Sequence, residues 1–369
     1  MAAREKKSKP PRPEPRDTPV SLNVVHPDAA GIDVHSDRHM VCVPPGRDPD
    51  GPVRAFGANT GDLLAIANWL RQCGVTTVAM ESTGVYWIPL FELLESRGFE
   101  IYLVEPGQLF HRGARPKTDV LDAQGIQRLH TYGLPRPSFR PDDSVLALRG
   151  YWWQRPILIR YAASHVQHMQ KALEQMNVKL TEVASNITGV TGLAIIAAIL
   201  DGQRDPQTLA ALRHEKCHRG EEEIARALEG TWRPEHLIAL KQAYELYGFH
   251  HRRITACDQR IAAELARLPD RSGDKPSGRK PRQRGRKGND VRFDATGPLF
   301  RALGVDLTEV EGINVSTALV ILAELGDDVS RFPTEKHFAS WLGLCPRQHE
   351  SNKTQKKRAP VGGRTGWLR

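Results

Sequence analysis

Four carboxylates in the N-terminal third of the chain could do metal-assisted chemistry. Asp33 interrupts a short apolar run, GIDV, and Glu81 follows directly on the apolar stretch ending at Met80, in MESTGVYW. Asp119 and Asp122 lie three apart in KTDVLDAQGIQRLH, a spacing that sets both on one face of a helix. An acid inside or at the end of a buried strand is costly unless something positive compensates it. A divalent cation is one such compensation, and hard oxygen ligands from separate elements suit Mg2+ (or Mn2+), which keeps waters and substrate phosphate as its other ligands. Two ions held this way stabilise the attacking and leaving oxygens of a phosphoryl transfer. Each acid also has a plainer explanation. Asp33 could receive a turn hydrogen bond, Glu81 could pair with a neighbouring cation, and Asp119 could cap a helix whose first turn holds Asp122. Together they are harder to dismiss, because all four fall at strand or helix ends that one sheet could bring together.

The elements that would position them are legible. AGIDVHSDRHMVCV (29–43) has apolar runs flanking a polar turn, which predicts a strand, a tight turn and a second strand. Val75 to Met80 and Ile101 to Val104 are further buried strands, and Asp62 to Gln72 and Tyr86 to Arg97 carry helical apolar spacing. Strand–strand–strand–helix–strand–helix–strand predicts a mixed α/β domain.

Beyond it the pattern turns helical. Val166, Met169, Leu173, Met176, Leu180 and Val183 form a coiled-coil seam, and a second seam runs from Leu237 to Leu268 through His251 and Asp258. Pro234 sits where proline can start that second helix. The helices could pair as a hairpin within the chain or form a dimer interface. Tyr151, Trp152 and Trp153 are expected to anchor the first helix on the α/β domain, and His165 and His168 to face solvent or DNA. Residues 187–202 and 310–326 echo each other, each a Gly turn followed by a small-residue apolar helix. A helix entry of this kind can offer free N–H groups to phosphate. Gly312 and Asn314 in the second copy are therefore candidate nucleic-acid contacts, with Lys117 before the Asp pair and Lys353 near the end.

The expected organisation is α/β plus all-α: a disordered basic tail (1–27), an α/β domain (28–140), a helical coiled-coil region (141–270), a basic disordered linker (271–296) and a small helical C-terminal domain (297–369). The basic charge sits in the flexible parts. Lys and Arg outnumber acids six to three in 1–27, nine to two in 271–292 and seven to one in 347–369, in a chain of net charge +9. The remainder is therefore acidic, and cationic segments of this kind suit a polyanionic partner through counterion release. An apolar content of 40% is enough for a packed core. The longest apolar stretch, Leu193 to Leu200, is far short of the roughly 20 residues of a membrane span. The five scattered cysteines read as reduced thiols, and the expected place is the cytoplasm, near the nucleoid, with no membrane partner.

GIDVHSDRH, MESTGVYW, VEPGQ and KTDVLDAQGIQRLH together resemble the insertion-sequence one-ten family of DEDD transposases. VEGINVSTALVILAELGDDVSRFPTEKHFASWLGLCP resembles that family's second domain. The resemblance implies a RuvC-like ribonuclease-H fold at the N-terminus, with Asp33, Glu81, Asp119 and Asp122 as the metal-holding DEDD set acting on DNA at element ends and target. It also implies a serine nucleophile, Ser351 in GLCPRQHESNKT, that would form a covalent protein–DNA intermediate, conserving the bond for rejoining. It further implies a structured guide RNA, and the seams suggest a homo-oligomer. After Ser351 the sequence QKKRAPVGGRTGWLR lacks the closing helix that the family pattern leads one to expect, so a truncated or frameshifted end is expected. Two alternatives remain at this point: a RuvC-like nuclease that cuts DNA with water, and a nucleic-acid-binding remnant without catalysis.

Overall fold

The computed structural model describes residues 22–106, 118–184, 186–215, 219–273, 288–330, 332–342 and 344. Lys117, Ser351 and Lys353 lie outside them, as do most of the basic tail and linker and the end of the chain. The chain divides into two compact units, 1–140 and 141–369.

The first unit is built on a five-stranded sheet of order β3-β2-β1-β4-β5. Its strands are β1 (Ala29–Val34), β2 (Arg38–Cys42), β3 (Val53–Gly57), β4 (Thr77–Glu81) and β5 (Glu100–Val104). The pairs β1–β2 and β2–β3 are antiparallel, whereas β1–β4 and β4–β5 are parallel. Among the described residues the sheet is joined by helices α1 (Thr60–Gln72), α2 (Trp87–Ser96) and α3 (Asp119–Thr131). Strand β1 is central and buried along its whole length, which explains why AAGIDV reads as a run of small and apolar residues rather than an alternation. Ile32, Val34, Val41, Val78 and Met80 share a core with Ile66 and Leu70 of α1 and Leu90 and Leu94 of α2. On the opposite face Ala79 and Val104 meet Ile126 of α3. This mixed sheet with helices on both faces fits a RuvC-like ribonuclease-H domain.

Glycine at position 31 is what lets α3 lie down on β1. A Cβ there would sit 2.2 Å from the Gln127 amide nitrogen and 2.6 Å from the Ala123 carbonyl oxygen, so two backbones meet with no room for a side chain. The crossing is pinned on either side. The Gln127 side-chain Nε2 donates to the Ala29 carbonyl (3.2 Å), and the Thr77 hydroxyl meets His130 Nε2 (2.9 Å).

The second unit is helical and is organised by two long helices, α4 (Asp143–Gln175) and α9 (Pro234–Arg267). They run antiparallel: Arg155 meets Asp258, while further along α4 His165 stacks on His250, earlier in α9. The two predicted seams therefore face one another inside the chain. At one end Met169, Leu173, Leu240 and Ala243 share a core with α5 (Leu180–Val183), α6 (Val190–Leu200), α7 (Pro206–Ala210) and α8 (Glu221–Ala227). At the other, Val145, Leu148, Ile261 and Leu265 pack with α10 (Thr296–Leu303) and α11 (Val315–Leu325), and a further helix, α12, spans Glu335–Trp341.

The first seam differs from expectation at its end. Helix α4 stops at Gln175, and Leu180 reaches the core from the separate α5. The cause is Asn177, which adopts φ 58°, a left-handed conformation that asparagine tolerates better than most residues. The Val178 N–H then bonds the Leu173 carbonyl and the Asn177 N–H that of Glu174, both at 2.9 Å, closing the helix in a Schellman motif.

The polar residues of the second seam tie down another segment. Buried Asp258 accepts from Arg155 Nε (2.6 Å) and from the Arg292 backbone N–H (3.1 Å), while Arg155 also donates to the carbonyls of Asn289 and Asp290. Trp152 is buried with α11 and Trp153 donates to Glu324 at 2.7 Å, so these tryptophans join α4 to α11, where the sequence pointed to the α/β domain. His168 is exposed as expected, whereas His165 is half-buried against His250. No helix among the described residues is long and apolar enough to cross a membrane.

Candidate metal centre

Asp33 and Asp119 converge at one end of the sheet, on the face that α3 covers, and the charges of Glu81 and Asp122 reach Asp33. Pairing β1 with β4 in parallel sets Ile32 beside Met80, the residues that immediately precede Asp33 and Glu81. Ile32 and Met80 both point into the core beneath α1 and α2. Strand alternation then turns Asp33 and Glu81 to the α3 side. Helix α3 begins at Asp119, so Asp119 and Asp122 both belong to its first turn. Thr118 is the residue that caps it, its hydroxyl accepting from the Leu121 N–H at 3.3 Å, so neither aspartate is needed as the cap.

Two side chains that sequence reading passed over complete the site. His35 and Arg38 close the β1–β2 hairpin, the His35 N–H donating to the Arg38 carbonyl at 3.1 Å. Alternation places Asp33 and His35 on the same face, and the hairpin pairing adds Arg38. His35 Nε2 lies 3.1 Å from Asp33 Oδ2 and 3.6 Å from Asp119 Oδ1, and Arg38 Nη2 lies 2.5 Å from Asp119 Oδ2. The signal was present: a histidine two residues beyond a strand-borne aspartate shares its face.

Ligand atoms of Asp33, His35 and Asp119 all lie within 4.8 Å of one another. The Asp33 carboxyl is buried, and that burial raises its pKa above the ordinary value. His35 works against the rise, and the charges of Glu81 and Asp122 add to it. Glu81 and Asp122 thus lie close enough for Asp33 to feel them, and Glu81 accepts a hydrogen bond from Thr83 at 2.7 Å. A buried carboxylate held at an energetic disadvantage, with two carboxylate oxygens and one imidazole nitrogen converging, is a donor set that fits a divalent cation. Asp33 and Asp119 are thus brought within ligand distance of each other, and Glu81 and Asp122 lie near enough for their charges to act on Asp33. Gly312 and Asn314 belong to the other unit. Gly312 is exposed at φ 88°, and the Asn314 side chain caps α11 by accepting from the Thr317 N–H at 2.8 Å.

Residues 30–178 match the model of DEDD transposases of the IS110 type, described as "Transposase", and residues 306–365 match the model described as "Transposase IS116/IS110/IS902 family". The chain belongs to the IS110 family of transposases. The first match spans Asp33, Glu81, Asp119 and Asp122 and runs through α4 as far as the turn after it. The second match covers α11, α12 and the Ser351 segment. No curated protein matches the chain. As an IS110-family transposase the protein acts on DNA.

Proposed function

We propose that this transposase cuts and transfers DNA strands at the ends of an insertion sequence and at its target. Divalent cations, Mg2+ or Mn2+, would be held by Asp33, Glu81, Asp119 and Asp122. The observation that carries this reading is the convergence of buried Asp33, at the end of the central strand, with Asp119 from the first turn of α3. When bound, such ions supply charge neutralisation at the attacking and leaving oxygens of the phosphodiester. The chain's own residues do the positioning. Thr83 orients the Glu81 carboxylate, and Gly31 sets the height of α3 and with it that of Asp119 and Asp122. The Arg38 guanidinium, whose side chain is 57% exposed, neutralises Asp119 and can turn to a phosphate oxygen.

Ser351 is the proposed nucleophile. Its Oγ loses a proton and bonds to phosphorus, and the bond from phosphorus to the departing deoxyribose oxygen breaks, that oxygen taking up a proton. The number of phosphoester bonds is conserved, so a second attack by a strand hydroxyl releases Ser351 and rejoins DNA. A structured RNA is the proposed guide; the basic segments 1–27, 271–292 and 347–369, with Lys117 and Lys353, suit its phosphates. A homo-oligomer through the long helices is the proposed assembly; α4 and α9 pack on each other within the chain and leave Tyr161, Ile238, Leu246 and Phe249 exposed.

The test is a denaturing gel of the full chain with Mg2+, the element's flanking RNA and labelled junction DNA. A covalent protein–DNA adduct absent in Ser351→Ala is the expected result. Strand cleavage that persists without adduct in Ser351→Ala would replace the serine mechanism with hydrolysis by water.

A further inference from the structure

We propose that His35 is itself a ligand of the divalent cation, donating through Nε2, and that it makes the site take Mn2+ more tightly than Mg2+. This rests on the metal-dependent reading above and adds to it a residue outside the four acids, with a consequence for metal choice.

The geometry singles out one atom. Nε2 of His35 faces both Asp33 Oδ2, at 3.1 Å, and Asp119 Oδ1, at 3.6 Å, so the ring edge points into the gap where the carboxylates converge. Ligands at right angles around an ion, each about 2.1 Å from it, stand about 3 Å apart, close to these separations. The backbone is restrained for the purpose, since the His35 N–H is fixed to the Arg38 carbonyl across the hairpin. The side chain is 40% exposed, so the imidazole is not a space-filling core residue. Arg38 already supplies a cation to Asp119, which leaves His35 unnecessary as its counter-charge.

Metal preference follows from the donor atom. Carboxylate and water oxygens suit Mg2+ and Mn2+ alike, whereas an imidazole nitrogen favours the transition ion. Mg2+ also gives up its waters reluctantly, so replacing one by a nitrogen ligand is least favourable for it.

The experiment uses the full-length chain and Mn2+ alone as probe, with binding followed by electron paramagnetic resonance and the bound ion's nitrogen neighbours by electron spin echo modulation. Mn2+ is expected to bind with modulation from one 14N nucleus, and Mg2+ to displace it only at higher concentration. His35→Ala should remove the modulation and weaken Mn2+ at least about ten-fold while weakening Mg2+ less. Thermal melting of His35→Ala verifies that it folds. Bound Mn2+ without 14N modulation, or an unchanged ratio of Mn2+ to Mg2+ affinity in His35→Ala, overturns the proposal and leaves the acids as the metal site. Absence of Mn2+ binding, or binding that survives Asp33→Asn, overturns both it and the metal-dependent reading beneath it.

Discussion

Replacing Gly31 by alanine perturbs the site without touching a charged group. The added Cβ would lie 2.2 Å from the Gln127 nitrogen, 2.6 Å from the Ala123 oxygen and 2.7 Å from the Gln127 Cα, where ordinary contact begins at 3.4 Å. Helix α3 must therefore retreat by roughly 1 Å, because the obstructing atoms are backbone and cannot rotate away. Overpacking of this kind costs about 2 kcal/mol, and the expected loss is that or more. The same retreat carries Asp119 and Asp122 away from Asp33 and Glu81, and a displacement of about 1 Å at a reacting centre can cost on the order of 100-fold in rate. Urea denaturation of Gly31→Ala would measure the first effect, and strand cleavage at saturating metal the second. Gly61→Ala in the first turn of α1, where nothing lies within 4 Å of the new Cβ, is the control and should lose no stability. If Gly31→Ala melts within about 0.5 kcal/mol of the unmodified chain and cleaves normally, the close crossing of α3 over β1 is wrong.

The buried pair in the helical unit gives a second expectation. Asp258→Asn should destabilise by about 3 kcal/mol or more, since it leaves Arg155 charged and uncompensated, while Arg155→Met with Asp258→Leu should recover only part of that, because the bonds to the Asn289 and Asp290 carbonyls and from the Arg292 N–H are lost as well. Additive losses in a double-mutant cycle would show that the two do not act as a pair. Acid should weaken the first unit through His130, which is fully buried beside His26 and Tyr102 with no partner for Nδ1 among the described residues. Burial, and then the His26 charge, lower its pKa from 6.5 to about 4. Below pH 6.5 the unfolded chain takes up a proton that the folded chain refuses. Stability is thus complete above that pH and falls by about 3 kcal/mol as pH drops toward 4. Denaturation of the unmodified chain and of His130→Gln across this range should show a shallower slope in the variant; equal slopes would contradict the assignment.

Much of the first unit was legible because its signals are local. A charged residue inside or at the end of an apolar strand is conspicuous, and that is what singles out Asp33 and Glu81. The helical spacing of Asp119 and Asp122 needs no tertiary information. What escaped depends on pairs remote in sequence or on backbone shape. His35 looks like a turn residue until the hairpin register turns it toward Asp119. Asp258 was visible as a break in a seam, but its partner Arg155 is 103 residues away. The seam itself promised one helix through Val183, and the left-handed turn at Asn177 divides it. Trp153 could not announce Glu324 as its acceptor, since the two lie 171 residues apart.

The most direct measurement is metal-dependent strand cleavage by the full chain beside the four near-isosteric variants Asp33→Asn, Glu81→Gln, Asp119→Asn and Asp122→Asn, each verified as folded. Cleavage that needs Mg2+ or Mn2+ and falls at least about 100-fold in every variant is the expected result. Cleavage that survives chelation of metal, or that persists at full rate when Asp33 is neutralised, would contradict the carboxylate centre as the seat of the chemistry.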